Sequence, residues 1–403
     1  MFLGPVLWLA LAYLLVTDLS ANWRWSLGTS IFGLVYLFVA GIRLEKDERD
    51  TNAIWLMIGA HFALSLAMTM YFREASLTLA IAAQTVSLVW IIRRYHTQGL
   101  AWLVKAVLAI VVIRLTLNPW LLNYPADIHW SLWSYGGAAA CCALAAWMSE
   151  SESSLKKWLE AVSLQLFVLF LVAETRYWLY DGEIFIRDYS LLEAAINSVL
   201  WSALGLVYYY RSRLNSFLER FYTICSHVLL VLALGNYIIV LTLLNPLWSN
   251  EAVSSTPIWN LLLLAYGAPV LMACLVYYFF QDRFRQIAAI TAGIGLIIFV
   301  SLEIRHLWHG SVDLSLPFKD GELYTYSIVW LILAVAAILL ATRYMHQGFY
   351  KAGMALLLIV IAKIFLIDMS DLEGLLRVAS FMGLGLSLLG LAYLYQKIAR
   401  QHS

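Results

Sequence analysis

The feature that most constrains the fold of this chain is a series of apolar runs that recurs from end to end. Each run has about 17 to 25 residues, enough for an α-helix to cross a bilayer core about 30 Å thick. Only 13% of the 403 residues are charged, whereas a soluble domain has about 25%. A soluble globular protein with a wetted surface is therefore excluded. The sequence predicts an all-α integral membrane protein.

Charged clusters and Pro, Gly or Asn turns separate the runs and delimit about fourteen predicted spans. The spans are predicted at 2–18, 25–42, 53–72, 75–92, 100–122, 130–148, 158–178, 191–210, 221–245, 257–280, 286–305, 324–342, 352–367 and 377–396. The chain begins Met-Phe-Leu-Gly-Pro, without the basic segment and the small-residue cleavage site of a secretory signal. The first apolar run is therefore expected to remain as a span.

The distribution of Lys and Arg between alternate loops predicts the orientation. Sixteen of these residues fall in one set of loops and seven in the other. Cytoplasmic loops carry the excess of Lys and Arg, so the richer set is predicted to be cytoplasmic. Both termini fall on that side, which requires an even number of spans.

Composition and motifs argue against several classes of function. The net charge of +1 gives no field that would attract nucleic acid. The cysteines lie inside apolar runs without C-x-x-C spacing and are interpreted as small core residues: Cys141, Cys142, Cys225 and Cys274. The sequence contains no Walker loop, dinucleotide fingerprint, nucleophile elbow or H-E-x-x-H motif. No catalytic set, cofactor or metal site is predicted.

Three short motifs recur at nearly constant spacing. They are Glu174-Thr-Arg176 and Glu303-Ile-Arg305, Asn118-Pro119 and Asn245-Pro246, and Arg94-Tyr95 and Arg343-Tyr344, with spacings of 129, 127 and 249 residues. The last spacing is close to twice the others. The pattern predicts three parallel repeats of four spans at 53–150, 151–282 and 283–403, after a leading helix pair at 1–52.

The segment that starts at Lys363 has the most distinctive sequence. It reads K-x-F-x-x-D-x-S-x-L-E-G-x-x-R-V, and a Tyr-Leu-Tyr-Gln stretch ends at Gln396. This segment resembles the end of a bacterial family of predicted membrane proteins called domain of unknown function 2339. The resemblance implies a multispan architecture and a bacterial origin but brings no established activity. Together with the orientation, it predicts a place in the bacterial inner (cytoplasmic) membrane.

Two cations inside spans are candidate functional residues, because an ionised side chain there costs at least about 2.5–3.5 kcal/mol on insertion scales. Arg114 and Lys363 are 249 residues apart, and each lies near the outer end of its span. The equivalent position of the middle repeat falls near Leu241. Snorkelling to the headgroups or a structural ion pair would explain both cations. The alternative is that they hold an anionic ligand.

Acids and arginines at the outer ends of two further spans extend this set. Glu174 and Glu303 each precede an arginine by two residues, a spacing at which helical side chains do not face each other. Each carboxylate is therefore expected to find its partner on another span. A single ligand-binding cluster is predicted from Glu174, Arg176, Glu303, Arg305, His306, Lys363 and Arg114. The i,i+3 spacing of His306 and His309 permits metal ligation, but the middle repeat has tyrosines there, and no metal is predicted.

Three functions remain open. The first is a carrier, flippase-like or ligand-binding protein with a polar site open to the non-cytoplasmic face, its ligand an anionic small molecule or a lipid headgroup. The second is a non-catalytic scaffold for other proteins of a cell-envelope complex. The third is an enzyme acting on a lipid-linked substrate, with Glu174 and Glu303 as acid and base.

Overall fold

The computed structural model describes most of the chain. The described residues are 4–17, 22–47, 50–72, 74–117, 129–150, 153–182, 188–214, 217–249, 252–254, 256–343, 347–368, 382–383, 385–386 and 389–390. Every regular element in this part of the chain is helical. The predicted all-α fold is confirmed.

The helices follow one another along the described residues. They are α1 (Gly4–Thr17), α2 (Trp23–Lys46), α3 (Thr51–Tyr71), α4 (Glu74–Tyr95), α5 (Ala101–Leu117), α6 (Gly137–Met148), α7 (Ser154–Leu179), α8 (Leu191–Leu214), α9 (Glu219–Thr242), α10 (Pro246–Ser249), α11 (Ala268–Phe279), α12 (Arg283–His309), α13 (Asp320–Arg343) and α14 (Gln347–Lys363). Three π-helical turns adjoin them, at Leu132–Gly136, Leu263–Gly267 and Ile364–Asp368. A 3₁₀ turn at Gln98–Leu100 precedes α5.

Many of these helices have the length and composition of membrane spans. Among the described residues, nine are long and apolar enough to cross a bilayer, and three shorter apolar helices accompany them. The first thirteen predicted spans each overlap a helix, although their bounds differ by a few residues. The fourteenth, 377–396, lies for the most part outside the described residues.

Side chains in the short loops explain where several helices begin. Asn22, Asp50 and Asp282 each accept a hydrogen bond from the backbone N–H two residues ahead, at 2.9–3.0 Å. Each bond satisfies one of the donors that a helix leaves free in its first turn. At the other end of α12, Gly310 adopts a φ of 68° and closes the helix. The polar residues between apolar runs therefore fix where these helices begin, and they also separate the spans.

The outer surface of the helices is strongly apolar. Large side chains such as Leu15 (84% exposed) and Trp147 (77% exposed) point away from the rest of the protein. A water-soluble monomer rarely exposes contiguous apolar surface on this scale. The surrounding medium that fits such a surface is the hydrocarbon of a bilayer.

The chain divides into two compact units. Unit 1 comprises Met1–Tyr189 and Val207–Cys225, and unit 2 comprises Ser190–Leu206 and Ser226–Ser403. The buried core of unit 1 is built mainly from α2–α7, and Trp130, Leu159 and Leu166 lie in it.

Each unit contains a π-helical turn with the same local packing. In unit 1, Tyr135 donates its hydroxyl hydrogen to the carbonyl of Leu115 at 3.1 Å. In unit 2, Tyr266 donates to the carbonyl of Val240, also at 3.1 Å. A glycine follows each tyrosine and lies against a phenylalanine ring: Gly136 against Phe170 and Gly267 against Phe299. In both units, a hydrogen bond from a tyrosine therefore connects a π-helical turn near the start of a predicted span to a neighbouring helix.

Candidate functional site

The predicted site residues all lie near helix ends, and they fall into two groups. Arg114 on α5 belongs to unit 1, together with Glu174 and Arg176 on α7. Unit 2 holds Glu303, Arg305 and His306 on α12 and Lys363 at the end of α14. Convergence of all seven on one cluster stays a prediction.

Glu174 is surrounded by hydrogen-bond donors. Its carboxylate accepts from the Ser131 hydroxyl at 2.8 Å and from the Trp178 indole at 2.7 Å. The Nε2 atom of His129 lies 2.9 Å from Oε1, a distance that makes the Nε2–H tautomer a third donor. Tyr177 stacks on the His129 ring, with the centroids 4.1 Å apart. This carboxylate is fully occupied by its own unit.

The two arginines of unit 1 also have partners. Arg114 donates from Nε to the hydroxyl of Thr78 at 2.7 Å. The Arg176 guanidinium lies 5.2 Å from the ring centroid of Tyr180 and points a terminal nitrogen at the carbonyl of Asp188. Both side chains therefore help to hold helix ends and loops in place.

Arg305 and Glu322 form an ion pair that is almost completely removed from solvent. The Nη1 and Oε1 atoms are 3.1 Å apart, and the side chains are 2% and 0% exposed. Glu322 also lies 2.8 Å from Nε2 of His309. The remaining Arg305 nitrogens donate to the carbonyls of Asp313 and Leu316. Such additional bonds are what make a buried pair tolerable, because each charge has lost its water.

The loop that receives Arg305 is itself ordered by a carboxylate. The side chain and the N–H of Ser315 both donate to Asp313. These bonds hold the pKa of Asp313 below its ordinary value. The turn places the Asp313 carbonyl against the guanidinium.

Lys363 is paired in the same thorough manner. Its Nζ atom lies 2.6 Å from Oδ1 of Asp368 and donates to the Ser327 hydroxyl at 2.7 Å and to the Leu323 carbonyl at 2.9 Å. Asp368 belongs to the π-helical turn that continues α14. The intramembrane cation is thus neutralised by an acid five residues further along the chain.

Glu303 and His306 differ from Glu174, Glu322 and Lys363, whose charged groups have several partners each. Glu303 accepts one hydrogen bond, from the N–H of Ile258 at 3.2 Å. Its Oε1 atom and both ring nitrogens of His306 are buried and have no hydrogen-bond partner among the described residues. His306 is 2% exposed. Ile258 has a φ of 66°, in the left-handed region that a β-branched residue rarely adopts.

Comparison with known proteins extends the resemblance seen at the C-terminal segment. The family of predicted membrane proteins called DUF2339 matches the chain over residues 1–398. The chain belongs to this family. No curated protein and no solved structure matches it. Membership of DUF2339 supports a multispan membrane architecture over residues 1–398. The chemistry of the site must be inferred from its residues.

Two partners of these residues, Glu322 and Asn236, are not part of the sequence motifs, although the repeat spacing relates each of them to another residue. In this DUF2339 protein, Glu193 and Glu322 are 129 residues apart, the spacing of Arg176 and Arg305. Glu322 was hidden in a charged segment that looks like a solvated loop. Extending the 129-residue comparison from the arginines to the next helix would have identified it.

Asn236 is the second missed residue. Its side-chain nitrogen donates to the Ala194 carbonyl at 2.6 Å and to the Ser198 hydroxyl at 2.8 Å. Lys363 makes the same two kinds of contact with Leu323 and Ser327, which lie 129 residues after those acceptors. An amide in the middle of the chain thus occupies the place that an ammonium occupies near its end, five residues before Leu241.

Among the acids and the histidine of this set, Glu303 and His306 have unused hydrogen-bonding capacity within the described residues. A carboxylate accepts hydrogen bonds, and a neutral imidazole can donate one and accept one. The described residues contain no group of three His, Cys, Asp or Glu side chains arranged to hold a metal ion. The chemistry that the pair offers is recognition of a polar group through hydrogen bonds.

Proposed function

We propose that this DUF2339 protein is a ligand-binding membrane protein of the carrier type in the bacterial inner membrane. Its polar site, at Glu303 and His306, opens to the non-cytoplasmic face. The single observation that supports this proposal is the difference between two acids 129 residues apart. Within the described residues, Glu174 has three side-chain donors around it, whereas Glu303 has one backbone donor and an oxygen without a partner.

The sequence explains why Glu303 lacks side-chain donors among the described residues. Those around Glu174 are His129, Ser131 and Trp178, and the positions 129 residues later hold Ile258, Asn260 and Leu307. Isoleucine and leucine carry no polar side-chain group. The Asn260 amide is committed to Thr256 and Leu262. The cluster of donors around Glu174 therefore has no complete counterpart around Glu303.

The incomplete cluster has an energetic consequence. Leaving a buried polar group without a hydrogen bond costs about 1–3 kcal/mol. The left-handed conformation of Ile258, whose N–H binds Glu303, adds backbone strain, a feature that concentrates at ligand clamps. A ligand that supplies the missing bonds would recover part of this cost on binding.

The free atoms indicate the chemistry of the ligand. The Oε1 atom of Glu303 requires a donor, such as an ammonium or a hydroxyl group. Trp259, next to the strained residue, is 80% exposed and offers a ring face to a cation. Arg305 and Lys363 are already paired with Glu322 and Asp368. An amino or hydroxyl headgroup therefore fits better than an anion, although the anionic ligand stays a prediction.

Paired substitutions at the two acids test the proposal. Purified wild type, Glu303→Gln and Glu174→Gln are melted in detergent with added phosphatidylethanolamine or phosphatidylglycerol. We expect phosphatidylethanolamine to raise the melting temperature of wild type but not of Glu303→Gln. Without lipid, Glu303→Gln should melt close to wild type, because that oxygen has no partner to lose. Glu174→Gln should melt lower, since its three donors lose a charged acceptor.

Other outcomes would contradict the proposal in separate ways. If Glu303→Gln lowers the melting temperature without lipid as much as Glu174→Gln, the Glu303 carboxylate is structural. If phosphatidylglycerol alone stabilises the protein through Glu303, the ligand is anionic and the proposed headgroup chemistry is wrong.

A scaffold for envelope proteins is the second candidate, favoured by the saturation of the other charged residues. Glu322, Arg305 and Lys363 all have partners within their own unit. A scaffold would show no change of melting temperature with either lipid, in wild type or in the glutamine variants. The enzymatic alternative gains less support, because Glu174 is already bound by three donors and is poorly placed to exchange a proton with a substrate.

We also propose that the recurring contacts derive from three parallel four-helix repeats at 53–150, 151–282 and 283–403. The π-helical turns with their tyrosines are 131 residues apart, and the glycine–phenylalanine contacts recur at 131 and 129 residues. Asn236 and Lys363 add a spacing of 127. The Cα traces of the three repeats should superimpose in the same chain order and orientation. A superposition that succeeds only after inversion would contradict the repeat.

A further inference from the structure

Unit 2 contains a cavity of about 60 Å³ between α8, α9, α11 and α12. Small side chains leave the space open, namely Ala233 on α9, Ala273 on α11 and Ala288 on α12. Most of the remaining lining is aliphatic or aromatic, and four residues add hydroxyl groups: Ser198, Ser202, Tyr237 and Thr291. One water molecule needs roughly 10–15 Å³ of such volume and two to four polar partners. The cavity is therefore large enough for more than one water, but the greater part of its lining surface is apolar, as in a site for a hydrocarbon chain.

The cavity runs from the beginning of α12 into the bilayer. Phe284, in the first turn of that helix, lines one end, and Thr291 lies roughly 10 Å further along the helix axis. The His227 ring stacks on Phe284, with the centroids 4.6 Å apart, and its Nε2 atom is 2.9 Å from the Asp282 carboxylate. Tyr237, 3% exposed, lines the deeper part. One end is thus at the polar boundary of the span, and the other is in its apolar interior.

The cavity opens at the surface of the protein. Ile287 lines it and is 41% exposed. This residue lies one turn into a helix of 27 residues, where the surrounding medium passes from headgroups to hydrocarbon. We therefore expect lipid chains, rather than bulk water, opposite the opening.

Two cations flank the entrance. Arg283 and Arg285 stand on either side of Phe284 in the sequence, and both are exposed. Arg285 lies 4.7 Å from the ring centroid of Tyr277, so its position is fixed against α11. The nearby Asp282 is occupied, because it accepts from the Phe284 N–H and pairs with His227. The entrance therefore offers two arginines to an anion at headgroup level.

We infer that this cavity takes part of an acyl chain of an anionic phospholipid, whose phosphate is held by Arg283 and Arg285. An apolar slot that starts beside two cations matches the chemistry of such a lipid. The predicted orientation puts this end of α12 in the cytoplasmic leaflet, where anionic lipids are found. The lining of the site on α12 ends at Thr291, roughly 18 Å along the helix from Glu303, and the site does not depend on the proposed function.

Photolabelling tests the inference on the full-length protein in phosphatidylcholine vesicles. The probe is phosphatidylglycerol with a diazirine near the end of one acyl chain, and labelled residues are located by mass spectrometry. We expect label on the cavity lining, including Ala233, Ala288 and Thr291. The Ala288→Leu variant fills the slot and should lose this label several-fold. Ala289→Leu, one residue further and outside the lining, is the matched control and should keep it.

The headgroup contact has its own variants. Replacing Arg283 and Arg285 together by Gln should reduce the label several-fold, whereas Arg343→Gln at the end of α13 should leave it unchanged. Excess inorganic phosphate should not compete. If it does, the arginines bind phosphate itself and the acyl-chain assignment is wrong.

Three further results would overturn the inference. They are equal labelling of Ala288→Leu and Ala289→Leu, labelling confined to residues outside the cavity, and equal labelling by a phosphatidylcholine probe. Melting temperatures of all variants show whether a lost label reflects misfolding, and a second filling variant, Ala233→Leu, replaces Ala288→Leu if the latter does not fold. Glu303→Gln should label like wild type, which separates this site from the polar one.

Discussion

At the scale of single residues, the interaction most sensitive to substitution is the buried pair of Arg305 and Glu322. Removing one partner of such a pair leaves a charge without compensation and costs about 3–5 kcal/mol. Glu322→Gln should therefore lower the stability of the protein in detergent by that amount, measured by chemical unfolding. Asp320→Asn is the matched control, because Asp320 lies exposed in the same first turn of α13 and should change stability by less than about 0.5 kcal/mol.

A double substitution distinguishes the pair from its surroundings. Arg305→Met with Glu322→Leu removes both charges and should recover part of the loss seen with either change alone. Recovery should stay incomplete, because the carbonyls of Asp313 and Leu316 lose their donor. If Glu322→Gln and Asp320→Asn have equal effects, the pair contributes little and the burial argument is wrong.

The residue scale also shows where sequence reasoning stops. Helix-end acids and arginines could be recognised from the repeat motif, and the structure places them at helix ends. Whether an acid such as Glu322 is solvated or buried depends on the loop after α12, which brings the Asp313 carbonyl to Arg305. That loop is irregular, so no hydrophobic period describes its path. Partners such as Asp368 depend in the same way on a local π-helical turn.

At the scale of helices, two glycines on α12 that look alike in the sequence have different surroundings. A Cβ atom on Gly295 would lie 2.6 Å from the Tyr237 hydroxyl oxygen and 2.8 Å from Cγ2 of Val270. Within the described part of the chain, a Cβ atom on Gly293 would meet nothing within 4 Å outside its own helix backbone and its two chain neighbours. Gly295→Ala should destabilise the protein by about 1–3 kcal/mol, because the packed side chains must move. Gly293→Ala should be neutral or stabilising by up to about 1 kcal/mol.

The comparison uses one measurement, chemical unfolding of the two variants beside wild type in the same detergent. Equal effects of the two substitutions would show that α9 and α11 do not approach α12 at Gly295. A smaller loss of stability in Gly295→Ala would mean that the Tyr237 side chain can turn away from α12. Tyr237 lines the cavity, so photolabelling of the cavity in this variant would detect such a movement.

Helix positions were predictable because the length of an apolar run is set by the thickness of the bilayer. Their internal irregularities were not. The spans predicted at 130–148 and 257–280 contain π-helical turns at Leu132–Gly136 and Leu263–Gly267. These turns are tied to neighbouring helices by Tyr135 and Tyr266, so they depend on tertiary contacts that hydrophobicity does not record. The helix of the span predicted at 257–280 also begins later than predicted, because residues 256–260 form bends.

At the scale of the whole molecule, the property open to direct measurement is the orientation of the spans. The sixteen-to-seven distribution of Lys and Arg predicts that the loop before α7 is cytoplasmic and the loop before α13 is not. Lys156 lies in the first turn of α7, and Lys319 immediately precedes α13. Because thirteen spans match helices, an error in orientation would invert every loop together.

Cysteine labelling in whole cells measures this orientation. The four native cysteines lie within helices and are first replaced by alanine or serine. A membrane-impermeant maleimide should then label Lys319→Cys in intact cells and Lys156→Cys after permeabilisation only. Labelling of both variants in permeabilised cells is the control for expression and access. Labelling of Lys156→Cys in intact cells would place the basic loops outside, and the Glu303 site would then face the cytoplasm and meet a different set of ligands.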